Sequence, residues 1–169
     1  MEIVLVRHGE TDWNVDGRLM GQKDIPLNDK GREQAGILKG KLTGMVFDCC
    51  YSSPLSRTRE TAEIICENGC KIIYDDRLKG RFRGELEGMI IGSWGDREND
   101  LAIEANEEIL ERARNFLKML RDNNSRRVLV VSHNGLIKNL RYCIMGEQGE
   151  LNYDGGDLAN CNYETYEID

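Results

Sequence analysis

Short runs of aliphatic and β-branched residues alternate along this chain with longer stretches whose apolar positions recur every three or four residues. The runs at residues 2–6, Val46 to Tyr51, Lys71 to Tyr74 and Arg127 to Ser132 read as strands, the first and last as buried ones. Residues 30–43 carry Ala35, Leu38 and Leu42 on one helical face, with Gly44 as a stop. Ser53-Pro54 reads as an N-cap and first turn opening a helix that runs to about Cys66 and ends near Gly69. The clearest helix is 104–122, where Ile109, Ala113, Phe116, Leu117 and Leu120 form one apolar stripe. Leu136 to Met145 is a further helix stopped by Gly146, and Asn162 to Ile168 alternates like an edge strand. Residues 9–29 are polar and read as mostly loop, and the glycine-rich residues 77–103 read as a loop with one helical turn.

Strands alternating with helices predict an α/β fold. It is a three-layer sandwich: a mostly parallel central sheet, helices on both faces and an antiparallel edge strand. A length of 169 residues, without repeats, low-complexity tracts or a linker, predicts one domain over 1–169.

Composition narrows the partners. The net charge of −7 disfavours broad binding to nucleic acid or to an anionic membrane. The sequence shows no basic leader and no apolar span near 20 residues, so a cytoplasmic location is expected. The six cysteines, Cys49, Cys50, Cys66, Cys70, Cys143 and Cys161, are then expected to be reduced thiols that pack as small hydrophobes. Cys66 and Cys70 have helical i, i+4 spacing, but no CxxC pair accompanies them to argue for a metal site.

The chemistry concentrates at two strand ends. The chain has two histidines, and each follows an apolar run: Val4-Leu5-Val6-Arg7-His8-Gly9 and Val130-Val131-Ser132-His133-Asn134-Gly135. Ligands of open α/β sheets bind beyond the carboxyl ends of parallel strands, and right-handed crossovers gather those ends on one rim. Arg7, His8 and His133 would share that rim with the segment Ser52 to Thr58, whose helix start offers N–H groups to an anion. Two guanidiniums, Arg7 and Arg57, suit the equatorial oxygens of a transferring phosphoryl group. A neutral imidazole can carry phosphorus covalently while its partner donates a hydrogen bond. This arrangement calls for neither a metal nor another cofactor.

These residues also carry a resemblance. Arg7-His8-Gly9-Glu10-Thr11, Trp13-Asn14, Gly21-Gln22, Ser52 to Ala62 and Val131 to Gly135 resemble, in order, the motif blocks of the histidine phosphatase (phosphoglycerate mutase-like) superfamily. In style the chain is closest to its small bacterial and alpha-ribazole phosphatase-like members. The resemblance implies that His8 is the nucleophile that becomes phosphohistidine. It assigns Arg7, Arg57 and His133 to the phosphate pocket, and Asn14, Gln22 and Thr11 to further substrate contacts.

The chain departs from the family at one position. The general-acid glutamate is expected in a block that here reads Arg77-Leu78-Lys79-Gly80-Arg81-Phe82-Arg83-Gly84-Glu85-Leu86-Glu87-Gly88, and its place is taken by Gly80. Protonating a leaving oxygen contributes about 10² to 10⁴ in rate, so alkyl phosphates should be poor substrates. Three accounts stand side by side. Glu85 or Glu87 substitutes for the acid; the substrate needs none, as with a phosphohistidine of a protein; or Gly80 is a single-base change from glutamate, recent or engineered. Lys79, Arg81, Arg83 and Arg97 are candidates for a second anionic contact, yet the segment after Gly88 lacks the basic cluster a phosphoglycerate mutase needs. The reading is a phosphatase of small organic phosphate monoesters, with a small phosphorylated substrate as its partner. Mutase-type transfer, phosphohistidine-protein hydrolysis and a non-catalytic phosphate-binding module are the alternatives.

Overall fold

A computed structural model describes residues 1–67, 69–95, 102–146 and 156–168. Its elements are β1 (Glu2–Arg7), α1 (Asp12–Val15), α2 (Asp29–Lys41), β2 (Cys49–Ser52), α3 (Ser56–Ile65), β3 (Ile72–Tyr74), α4 (Asn106–Arg121), β4 (Arg127–Ser132), α5 (Asn134–Ile144) and β5 (Tyr163–Glu167). Two 3-10 turns, Asp76–Leu78 and Gly84–Leu86, interrupt the segment between β3 and α4.

The strands form one sheet in the order β3-β2-β4-β1-β5. β1, β2, β3 and β4 are parallel, and β5 runs antiparallel to β1 on the edge. β1 and β4 pair from Glu2 with Arg127 through Arg7 with Ser132. This register brings His8 and His133, each one residue past its strand, to the same rim. The expected fold class is thus the observed one.

Strand alternation sorts side chains onto two cores. Ile3, Leu5, Val128 and Val130 face α4 and α5, where they meet Ile109, Phe116, Leu117, Leu136 and Leu140. Val4, Val6, Leu129 and Val131 face the other way, onto Ala35 and Leu38 of α2 and Ala62 and Ile65 of α3. Strands apolar on both faces are what a sheet covered by helices on each side requires.

Several element bounds differ from the sequence reading. The second strand begins at Cys49, since Val46 is 77% exposed and pairs with nothing in the sheet. α3 begins at Ser56, with Leu55 as N-cap; Ser53 is not its cap, because its hydroxyl faces His133. Within 9–29 the chain forms one helical turn, α1, closed by a capping box between Thr11 and Asn14. Cys66 and Cys70 do not share a helix, since α3 ends at Ile65. Among the described residues all six cysteines are free, and no group of three or more His, Cys, Asp or Glu is placed to hold a metal ion. No described helix is long and apolar enough to cross a membrane.

Candidate active site

The rim above β1, β2 and β4 opens into a cleft of about 380 Å³ lined by Arg7, Arg57, Gly80 and His133. His8 and His133 are 2% and 5% exposed, and their ring centroids are 5.2 Å apart at a 58° tilt. The fold fixes the His8 turn tightly. A Cβ on Gly9 would meet the Gly31 carbonyl oxygen at 2.6 Å, so only glycine lets this turn lie against the start of α2. The Gly9 amide donates to Thr61 Oγ1 on α3, which joins the turn to the helix carrying Arg57.

Hydrogen bonds assign the tautomers. His8 Nδ1 is 2.7 Å from the Gly9 carbonyl oxygen, which only accepts, so Nδ1 carries the proton and Nε2 keeps its lone pair. Arg57 Nε donates to His133 Nδ1 at 3.3 Å, which leaves the neutral ring's proton on Nε2, donated to Ser53 Oγ at 3.0 Å. One imidazole is therefore set as a nucleophile and the other as a donor.

Electrostatics keep both rings neutral. Burial, and then the Arg57 guanidinium, hold His8 well below the usual histidine range, with Arg7 acting the same way. Burial, Arg57 and His8 do so for His133. Burial also lowers Arg57, to about 10, against the pull of Asp24 and Glu87, so it stays cationic at neutral pH. Arg7 donates through Nη1 to the Leu158 carbonyl at 2.7 Å, while its buried Nε has no partner among the described residues. A buried charged donor left unpaired is costly, and an anion in the cleft would satisfy it.

The helix start singled out in the sequence is used differently. The first amide of α3, Ser56 N–H, donates to Asp24 Oδ1 at 2.7 Å, so a carboxylate of the chain itself occupies that anion position. The helix end that opens on the cleft belongs to α5, with His133 as its N-cap and Asn134 and Gly135 in the wall.

The sequence model of the "Histidine phosphatase superfamily (branch 1)" matches residues 3–169. The chain belongs to this superfamily. "Probable phosphoglycerate mutase GpmB" of Escherichia coli K12 is 43% identical over 101 residues, which are 59% of this chain and 47% of that protein. The chain thus spans about half the length of the curated relatives it matches. Among solved structures, alpha-ribazole phosphatase from Shigella flexneri superposes with a TM-score of 0.87 at 24% identity, covering 100% of this chain and 91% of that one. The mycobacterial glucosyl-3-phosphoglycerate phosphatase, solved in complex with VO3, gives a TM-score of 0.81 at 25% identity over 97% and 91% of the two chains. The superfamily's relatives here are thus phosphatases and mutase-like proteins.

In this member of the superfamily the remaining motif residues act mainly on the loops. Thr11 is fully buried, and its amide and hydroxyl both reach Asn14 Oδ1 at 3.1 Å. Gln22 donates through Nε2 to the Gly80 carbonyl at 3.0 Å and through its amide to Glu87 Oε1 at 2.8 Å. Glu87 also accepts the Arg83 amide at 3.0 Å, so its carboxylate is a clasp between two loops. Glu85 is exposed, and neither glutamate is part of the cleft lining. Arg81 and Arg83 do line the cleft; Arg97 lies outside the described residues.

Gly80 sits where a side chain would enter the site. A Cβ there would lie 3.4 Å from His133 Cγ and 2.8 Å from the Gly21 carbonyl oxygen. That carbonyl accepts from Arg57 Nη2 at 2.9 Å, so the loop has closed over the space in which a side chain at position 80 would begin.

Four contributors have site roles that the motif blocks do not assign. Ser53 and Asp24 orient His133 and α3, and Asn160 Nδ2 donates to the His8 carbonyl at 2.9 Å. Arg112 of α4 donates to the carbonyls of Arg77, Lys79 and Gly80 while pairing through both arms with Glu104. Each is an ordinary polar residue whose role depends on a carbonyl or ring that arrives from far along the chain. Only the fold reveals them.

Proposed function

We propose that the protein is a phosphatase that hydrolyses small phosphate monoesters through a phosphohistidine on His8. The observation that carries the reading is the opposed pair of neutral rings. His8 offers the Nε2 lone pair, and His133, held by Arg57, offers an Nε2 proton 5.2 Å away, centroid to centroid.

The Nε2 lone pair attacks phosphorus, the P–O bond to the leaving group breaks, and that oxygen keeps the electron pair. The Arg7 Nε–H, the Arg57 charge and the His133 Nε2–H, exchanged from Ser53 to a phosphoryl oxygen, stabilise the equatorial oxygens. Water then attacks phosphorus, the N–P bond breaks, and inorganic phosphate leaves with His8 neutral again.

His8→Ala should abolish phosphate release from p-nitrophenyl phosphate and any acid-labile phosphoenzyme, both read on purified protein; full activity in that variant would sink the mechanism. Gly80 favours a second reading, a phosphate-binding module without turnover. It predicts that phosphate stabilises the protein against heat while neither p-nitrophenyl phosphate nor an alkyl phosphate is hydrolysed.

A further inference from the structure

His8 can attack phosphorus only if its Nε2 lone pair is both free and aimed, and the Gly9 carbonyl on Nδ1 sets both. Where that carbonyl points depends on the peptide that joins His8 to Gly9. Residues from distant parts of the chain grip this peptide at each of its ends.

At the amide end, Gly9 N–H donates to Thr61 Oγ1 at 3.1 Å. Thr61 is fully buried on α3, and its hydroxyl donates to the Arg57 carbonyl one helical turn earlier at 2.7 Å. The hydroxyl proton is thus committed, and Oγ1 meets Gly9 through a lone pair of fixed direction. One side chain joins the turn of the nucleophile to the arginine that holds His133 Nδ1.

At the carbonyl end, the His8 oxygen accepts from Asn160 Nδ2 at 2.9 Å and from the Cys161 amide at 3.3 Å. The Cys161 amide also reaches the Arg7 carbonyl at 3.0 Å. Cys161 has a φ of 51°, in the left-handed region that residues other than glycine rarely adopt. Such strain persists only where the surroundings over-determine it. Here residues 160 and 161 both engage the same peptide, one by its side chain and the other by its backbone. Asn160 Nδ2 also lies 3.4 Å from Asn14 Oδ1, the acceptor of the Thr11 amide.

The grip matters because a neutral imidazole has two tautomers. An unconstrained histidine side chain prefers its proton on Nε2, which removes the lone pair that the reaction uses. The Gly9 carbonyl draws the proton to Nδ1 instead. If that carbonyl swings away, the proton returns to Nε2 and the ring loses its direction.

We propose that Thr61 and Asn160 are positioning residues for phosphoryl transfer: they clamp the two ends of the His8–Gly9 peptide and so keep the His8 Nε2 lone pair free and aimed. This rests on the phosphatase reading and names the residues that prepare its nucleophile. Both act through His8 and not on the substrate.

The test uses the full chain as wild type, Thr61→Val, Thr61→Ser and Asn160→Ala. Valine keeps the shape of threonine without the hydroxyl, and serine keeps the hydroxyl. Long-range proton–nitrogen NMR of the His8 ring reports the tautomer, and p-nitrophenyl phosphate turnover reports kcat and KM. Wild type should show the proton on Nδ1. Thr61→Val and Asn160→Ala should show a larger share on Nε2. Their kcat should fall about tenfold or more, since a misplacement of about 1 Å costs about 100-fold. KM should change less than about threefold, because the nucleophile is lost and the phosphate contacts are kept. Thr61→Ser should restore both signals.

Folded Thr61→Val and Asn160→Ala, judged by thermal unfolding, with the tautomer and kcat of wild type would overturn the proposal. A kcat loss in Thr61→Val that Thr61→Ser shares would overturn the part of Thr61, since the methyl group and not the hydroxyl would then matter. If Thr61→Val fails to fold, Asn160→Ala decides, because Asn160 is only half-buried. No phosphoenzyme in wild type would remove the phosphatase reading and the catalytic role of the clamp with it. Unchanged tautomers beside an active wild type would overturn the clamp alone.

Discussion

Position 80 decides the most at the scale of single residues. A glutamate there would start against the His133 ring, but its Cβ must displace the Gly21 carbonyl from 2.8 Å to an ordinary contact, and that carbonyl is a partner of Arg57. Gly80→Glu is therefore expected to have two effects of opposite value. Turnover of an alkyl phosphate should rise by about 10² or more, because a carboxylic acid now reaches the leaving oxygen. Folding stability should fall by about 1–3 kcal/mol, the usual cost of overpacking. Parallel measurement of kcat with glycerol phosphate and of urea unfolding checks both. A loss of stability with no gain in turnover would show that the closed loop does not admit the acid. The motif blocks made His8, His133, Arg7 and Arg57 legible because their types and strand-end positions are local features. The tautomers were not legible, since they depend on the Gly9 carbonyl, the Arg57 Nε and Ser53.

At the scale of elements, the strands and the two cores could be read from period-two and period-3.6 patterns, because burial on a sheet or helix face imposes those periods directly. The loops could not. Residues 77–88 carry no periodicity, and their shape comes from partners elsewhere: Arg112 on α4, Gln22, and the Glu87 clasp. The same logic explains why Ser53-Pro54 misled as a helix start. Ser53 has the chemistry of a cap, but His133 engages its hydroxyl and α3 begins three residues later. Arg112 is the strongest single tie. Its head group satisfies three carbonyls of this loop and pairs with a Glu104 side chain that is 11% exposed. Arg112→Leu removes the counter-ion of that carboxylate, which keeps only the Phe82 amide, and the donor of the Arg77 and Lys79 carbonyls, so a loss of about 3 kcal/mol is expected. Lys keeps the charge but not the fork, and Arg112→Lys should restore only part of the stability. Thermal unfolding of the two variants tests this. Equal stability of wild type and Arg112→Leu would show that the loop is held by other contacts.

At the scale of the whole molecule, the site couples folding to pH. Burial and the guanidiniums beside them hold both His8 and His133 well below the usual value in the folded chain, whereas an unfolded histidine titrates near 6.5. Between those limits the unfolded chain binds more protons, so stability falls as pH falls. The contribution is fully present above about pH 6.5 and is lost below it, with a limiting slope of about 1.4 kcal/mol per pH unit for each ring. Urea unfolding between pH 7.5 and 5.5 should show the decline, and His8→Asn should reduce its slope. An anion in the cleft reverses part of the effect, because negative charge between the rings favours the imidazolium that burial and the arginines oppose. Sulfate remains dianionic across this range, so its own titration does not confuse the result. It should stabilise wild type more at pH 5.5 than at pH 7.5, and this difference should shrink in His8→Asn. Equal protection at both pH values would mean that the anion binds without contacting the histidines, and would separate the basic cleft from the two buried rings.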